Sequence, residues 1–160
     1  MPPPPLFAIF ALGTNDALGR GGALPWSYPE DARYFDEVTK GHAVIMGRRT
    51  WDERGAPLVD RQNVVVSRTL APVAGMRVAS RLEDALAMAY ALDVTPFVIG
   101  GAALFAEAMP KVTRVYLTRV PEAPEADTFF HFDPSPFEVL RERTTESGLR
   151  FSVLERSRPG

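Results

Sequence analysis

Apolar runs of strand length recur along the chain at Leu6–Leu12, Ala43–Met46, Asn63–Ser67, Arg77–Ala79, Phe97–Ile99 and Arg114–Thr118. Several are unbroken rather than alternating, the pattern of strands buried on both faces. Helical patterns lie between several of these runs, which lets parallel strands connect through crossovers packed on the sheet. The clearest is Arg81–Leu92, where Leu82, Ala85, Leu86 and Ala89 make one apolar stripe and Ser80 with Glu83 offers a capping box. Pro29–Val38 has proline in its first turn, Thr50–Arg54 is short, and Ala102–Met109 is opened by Gly100-Gly101 and stopped at Pro110. Beyond Thr118 the pattern changes. Phe137–Arg143 and Leu149–Glu155, joined by a polar turn containing Gly148, predict a hairpin along one sheet edge. The expected fold is α/β: a central, mostly parallel sheet with an antiparallel C-terminal edge hairpin, flanked by about four helices.

A chain of 160 residues matches one domain, so residues 1–160 are expected to form a single unit, with residues 1–5 as a proline-rich lead. The formal net charge of −2 gives no general pull toward nucleic acid or an anionic membrane, so an anionic ligand must be met by a local cluster. Without cysteine there is no disulfide, thiolate nucleophile or thiolate-bound metal. His42 and His131 lie in no ligand-spaced motif, and no metal is expected. The apolar run after the prolines is too short to span a membrane, and the start has no cationic region. The expected product is a cytoplasmic monomer with a small-molecule partner.

Four segments carry candidate chemistry. Gly47-Arg48-Arg49-Thr50 follows the strand Val44-Ile45-Met46 and opens a helix, where a positive dipole end and two arginines favour a bound anion. Two solvated loop arginines would read the same way. Val98-Ile99-Gly100-Gly101-Ala102 is a second strand-to-helix glycine turn, able to press backbone against a pyrophosphate or simply to turn. It lacks the Rossmann glycine fingerprint and its acidic partner, and Arg68 stands instead beyond Ser67, favouring a 2′-phosphate and hence NADP over NAD. In Pro29–Phe35, Asp31 and Phe35 share one helix face. A carboxylate in an apolar cleft can pair bidentately with an amidine-like edge and help supply a proton, although an acid at a helix start also suits the dipole. Gly19 to Trp26 is glycine-rich before a Pro-Trp corner and reads as a mobile lid or as an ordinary turn.

Along nearly the whole chain these pieces resemble dihydrofolate reductase. Gly19, Leu24-Pro25-Trp26, Asp31 with Phe35, Val44-Ile45-Met46-Gly47-Arg48 with Thr50-Trp51, Arg61, Ile99-Gly100-Gly101 and Tyr116-Leu117-Thr118 follow one another at family spacing. The resemblance implies NADPH-dependent reduction of 7,8-dihydrofolate, with antifolate inhibitors as further ligands and without nucleic-acid or membrane partners. It implies that Asp31, assisted by Trp26 and Thr118, serves catalysis, Asp31 and Thr118 holding the pterin edge and Trp26 a nearby water. Ala32, Phe35, Arg54, Leu58, Arg61 and Ile99 would contact substrate, Arg61 through the glutamate α-carboxylate. Ala11 and Leu18 would face the nicotinamide, Gly100 and Gly101 the pyrophosphate, and Arg48, Arg49, Thr50 and Arg68 the adenosine phosphates, with Gly19, Gly47 and Ser67 as further cofactor contacts. Ala102, Ala103, Leu104 and Phe105 complete the implied cofactor contacts, and residues 19 to 27 the lid. Three positions depart from the commonest bacterial pattern: Ala32 replaces a larger apolar residue, Arg54 an apolar wall residue and Phe105 a tyrosine. Two other readings accompany this one: a pterin or pyrimidine reductase of the same fold, and a non-catalytic NADP-binding sensor.

Overall fold

The computed structural model describes residues 3–19 and 26–157. Its main sheet has eight strands in the order β5-β4-β3-β6-β1-β7-β10-β9. These are β1 (Phe7–Leu12), β3 (Ala43–Gly47), β4 (Gln62–Val66), β5 (Met76–Ala79), β6 (Phe97–Gly100), β7 (Arg114–Arg119), β9 (Phe137–Thr144) and β10 (Arg150–Arg156). Strands β5 through β7 in this order pair in parallel, and β10 runs antiparallel to both β7 and β9. The unbroken apolar runs are therefore the interior strands, as expected of strands covered on both faces. The C-terminal hairpin forms the predicted antiparallel edge. Its Gly148 has φ +89°, and an added Cβ would stand 3.0 Å from Pro121 Cγ, so glycine suits this turn on both counts.

Helices α1 (Pro29–Thr39), α2 (Arg48–Arg54), α3 (Leu82–Leu92) and α4 (Ala102–Ala108) lie at or within a residue or two of their expected positions. The stripe of α3 and the buried Leu104, Phe105 and Ala108 of α4 pack on one sheet face, with Ala8, Phe10 and Leu12 of β1. On the opposite face Tyr34, Phe35 and Val38 of α1 cover Ile9, Val44, Met46, Ile99 and Tyr116. The capping box is absent. Arg81, not Ser80, occupies the N-cap of α3 and has no side-chain cap bond, while its guanidinium reaches Asp84 at 3.4 Å. Two short strands, β2 (Ala17–Gly19) and β8 (Thr128–Phe129), pair separately, and a 3₁₀ turn at Met109–Lys111 extends α4. Strands of two and three residues are too short to produce a readable alternation. Of the expected lid, residues 20–25 lie outside the described residues.

At the amino ends of β3 and β6, the half-buried carboxylate of Asp93 joins α3 to the sheet. It accepts from the amides of Ala43 (2.8 Å) and Thr95 (3.0 Å) and lies 2.9 Å from His42 Nδ1. Burial opposes ionisation of Asp93, but the Thr95 and Ala43 amides and His42 outweigh it and hold the carboxyl below its ordinary 3.8. Because the folded-state pKa is depressed, this stabilisation is present above the unfolded value and is lost as pH falls through the folded one. Asp93→Ala should therefore cost about 1.5–3 kcal/mol at neutral pH, and the gap from the parent should narrow only under acid conditions. Thermal unfolding of both proteins across the acid range measures this; equal stability at neutral pH would contradict it.

Candidate active site

The strand order places the carboxyl ends of β3 and β6 side by side, each followed directly by a helix. Gly47 ends β3, and a Cβ there would stand 3.8 Å from Gly100 O and 3.9 Å from Gly101 N. Thr50, in the first turn of α2, closes the niche. Its Oγ1 would be 3.2 Å from a Cβ on Gly100 and 3.5 Å from one on Gly101. Gly100 also has φ +136° and joins Gly101 through a cis peptide. Four of the expected residues thus form one backbone-lined cradle. Ala102 is half-buried and Ala103 exposed at the start of α4, whereas Leu104 and Phe105 turn into the core. The Phe105 ring sits behind Gly100 and packs 4.9 Å from Phe10.

The cations expected around this cradle are arranged differently from free arginines. Arg48 Nε reaches Asp52 at 3.0 Å and Arg49 Nε reaches Glu53 at 3.2 Å, so each is balanced one turn along α2. Such exposed pairs contribute only a few tenths of a kcal/mol, roughly, and exchange readily for a stronger anion. Arg48 Nη1 also donates to Thr69 Oγ1 at 3.3 Å, a residue the sequence reading missed. This contact brings the end of β4 beside α2. Ser67 Oγ accepts from the amides of Thr69 and Leu70, shaping the loop that carries Arg68. Arg68 is exposed, and its guanidinium forms no hydrogen bond or ion pair among the described residues.

Next to the cradle, on the face covered by α1, a polar pair interrupts an apolar wall. Thr118 of β7 is 2% exposed and lies in register with Ala11 of β1 and Phe151 of β10. Tyr34 of α1 rests on Phe151 with ring centroids 4.4 Å apart, which brings Asp31, one turn earlier, down toward Thr118. Burial pushes Asp31 above the ordinary 3.8, and the Thr118 hydroxyl, which favours the charged form, only partly offsets it. Trp26 packs against the cluster of Val120, Leu149 and Phe151, with its Nε1–H buried and without an acceptor among the described residues. A buried donor of this kind costs about 1–3 kcal/mol unless a ligand or water accepts from it.

Leu18 is half-buried against the core, and Gly19 ends β2; Leu24 and Pro25 lie outside the described residues. Ala32 is exposed beside Asp31. Phe35, Leu58 and Ile99 belong to one apolar cluster, with Ile99 buried and the other two half-buried. Leu58 and Arg61 are presented by a loop folded around Asn63, which is 3% exposed. Asn63 accepts from Leu58 N (2.9 Å) and donates to Leu58 O (3.0 Å) and Arg61 O (3.1 Å). Sequence reading missed this organiser, whose only signal was an amide side chain inside an apolar run. Arg61 is held by Val59 O, Thr39 Oγ1 and Asp36 Oδ1, the last at 2.7 Å. Arg54 lies with its Cζ 4.9 Å over the Phe35 ring.

With this geometry in view, comparison with known proteins is informative. The family model for dihydrofolate reductase matches residues 5–156. The chain belongs to the dihydrofolate reductase family. The Bacillus subtilis dihydrofolate reductase is 39% identical over 146 residues, covering 89% of this chain and 83% of that protein. The Mycobacterium tuberculosis dihydrofolate reductase is 39% identical over 154 residues, covering 91% and 92%. Among solved structures, the Enterococcus faecalis dihydrofolate reductase complexed with NADP(H) and RAB-propyl superimposes with a TM-score of 0.87 at 28% identity, over 96% of this chain and 97% of that one. The family match therefore takes in both the cradle and α1.

The raised pKa of Asp31 has a measurable consequence for stability. A carboxyl easier to protonate when folded than when unfolded favours the fold below the unfolded pKa and loses that contribution as pH rises through the folded value. Asp31→Asn removes the charge and keeps an acceptor for Thr118. The variant should unfold at a higher temperature than the parent at neutral pH, with the difference shrinking below about pH 4. A variant less stable at neutral pH would contradict the burial argument.

Proposed function

We propose that this protein reduces 7,8-dihydrofolate to 5,6,7,8-tetrahydrofolate with NADPH, by hydride transfer to pterin carbon 6 and protonation of nitrogen 5. The observation that carries this reading is the half-buried carboxylate of Asp31, set against buried Thr118 and the apolar wall beside the glycine cradle. A carboxylate in that position matches the adjacent N–H donors of a pterin's 2-amino and N3 edge with two parallel bonds. Family membership supports the same activity.

The cofactor assignment rests on the cradle. Gly47, Gly100 and Gly101 leave backbone where side chains would obstruct a pyrophosphate, and Thr50 adds a hydroxyl there. Arg48, Arg49, Ser67 and Arg68, with Thr69, provide charge and hydroxyls for a 2′-phosphate. Ala11 and Leu18, beside Gly19, leave an apolar berth for the nicotinamide. When bound, NADPH supplies the hydride. The chain's own residues align the ring, exclude water and set the proton's position.

Asp31 anchors the pterin edge and polarises the ring so that nitrogen 5 accepts a proton. Thr118 fixes the carboxylate's direction. Trp26, with its buried N–H, holds a water that links Asp31 to the proton route. Phe35, Leu58 and Ile99 enclose the apolar part of the substrate, and Ala32, with its small side chain on the exposed side, leaves room beside the pterin.

Loss of reduced-nicotinamide absorbance with dihydrofolate present tests the reading; binding of NADPH without turnover would indicate a sensor, and turnover of an aminopyrimidine ribitol phosphate instead would indicate another reductase of this fold. Arg48→Ala should weaken NADPH by about 1.5–3 kcal/mol and leave NADH much less affected, as the two Michaelis constants will report. Equal weakening would remove Arg48 from the 2′-phosphate site.

A further inference from the structure

Helix α1 acts as a ruler from the proposed pterin anchor outward, and this inference rests on the proposed function. Asp31, Phe35 and Thr39 recur at helical spacing, so Phe35 lies about 6 Å and Thr39 about 12 Å along the axis from Asp31. Thr39 is buried and accepts from Arg61, whose side chain is only 6% exposed. The same guanidinium donates to Asp36 at 2.7 Å. The charge of Arg61 is therefore already balanced within the protein.

Arg54 is arranged in the opposite way. Its guanidinium lies over Phe35 and forms no hydrogen bond or ion pair among the described residues. The nearest acid in its own helix turn, Glu53, is engaged by Arg49. Desolvation and the neighbouring charge of Arg61 lower its pKa, and the charge of Glu53 only partly offsets them. A ligand extending past Phe35 meets in Arg54 a guanidinium that no carboxylate pairs directly among the described residues, Glu53 being bonded to Arg49.

We propose that Arg54 is the chief electrostatic anchor for a carboxylate in the substrate's tail, because Asp36 has taken up the charge of Arg61. With a tail that bears two carboxylates, one reaches Arg54 while the other meets the donors left on Arg61. Asp36 opposes such a tail and sets how much of the discrimination falls to Arg54.

The test compares dihydrofolate with dihydropteroate, which has the same head and ring but no amino-acid tail. Parent, Arg54→Leu, Arg54→Lys and Asp36→Asn are assayed for kcat/KM on both, with binding followed by tryptophan fluorescence. Arg54→Leu should lose about tenfold on dihydrofolate and clearly less on dihydropteroate, and Arg54→Lys should recover most of the difference. Asp36→Asn should increase the preference for dihydrofolate. Added salt should erode the parent's preference more than that of Arg54→Leu. Equal losses on both substrates, no loss on either, or a weaker preference in Asp36→Asn would overturn the assignment. Failure of the parent to reduce either pterin would instead overturn the proposed function itself.

Discussion

A carboxylate held against an apolar sheet face is unfavourable unless its surroundings compensate, and the region under α1 is organised around that problem at Asp31. Thr118 supplies a hydroxyl that favours the charged form, from a strand position flanked by Ala11 and Phe151. The Tyr34–Phe151 contact fixes the helix that delivers the acid. The compensation is incomplete, which is why the carboxyl is pushed upward rather than held low like Asp93 at the other end of the sheet. Two half-buried aspartates in one fold thus have opposite tendencies. Asp93 has amide donors aimed at it and serves stability; Asp31 has few and keeps acceptor capacity for a ligand.

The glycine cradle depends on a separate constraint, the order of the parallel strands. The chain runs outward from β1 through β3, β4 and β5, then returns to insert β6 between β3 and β1. That reversal sets two strand-to-helix turns against each other, and ligands in open α/β sheets bind where the order reverses. Gly47 and Gly100, far apart in sequence, become neighbours only through this topology. The same reversal brings Ile99 under α1, joining the cradle to the apolar wall.

Much of this is legible in the sequence, for identifiable reasons. Unbroken apolar runs marked the interior strands, and the α3 stripe marked a helix packed on a sheet. Asp31 and Phe35 declared a shared face by spacing alone. Interactions that depend on partners distant in sequence were not legible. The pairing of Asp36 with Arg61 spans 25 positions, and the Asn63 amide bonds fold a loop that has no periodicity. The capping box at Ser80 was a local pattern overridden by the entry of the chain through Arg81 in extended conformation. The arginines of α2 looked unbalanced in the first turn, yet Asp52 and Glu53 answer them at helical spacing, a signal present in the sequence and passed over.

The central claim is that Asp31 serves the proton as well as the binding of the pterin. Single-turnover hydride transfer, followed in the parent and in Asp31→Asn from about pH 5 to about pH 8, isolates that role because product release cannot mask the step. The account predicts a deficit of roughly 10²–10⁴-fold at neutral pH that narrows toward acid, where solvent protonates the substrate without the enzyme's help. A deficit that stays constant across the range, or a variant as fast as the parent at neutral pH, would contradict it.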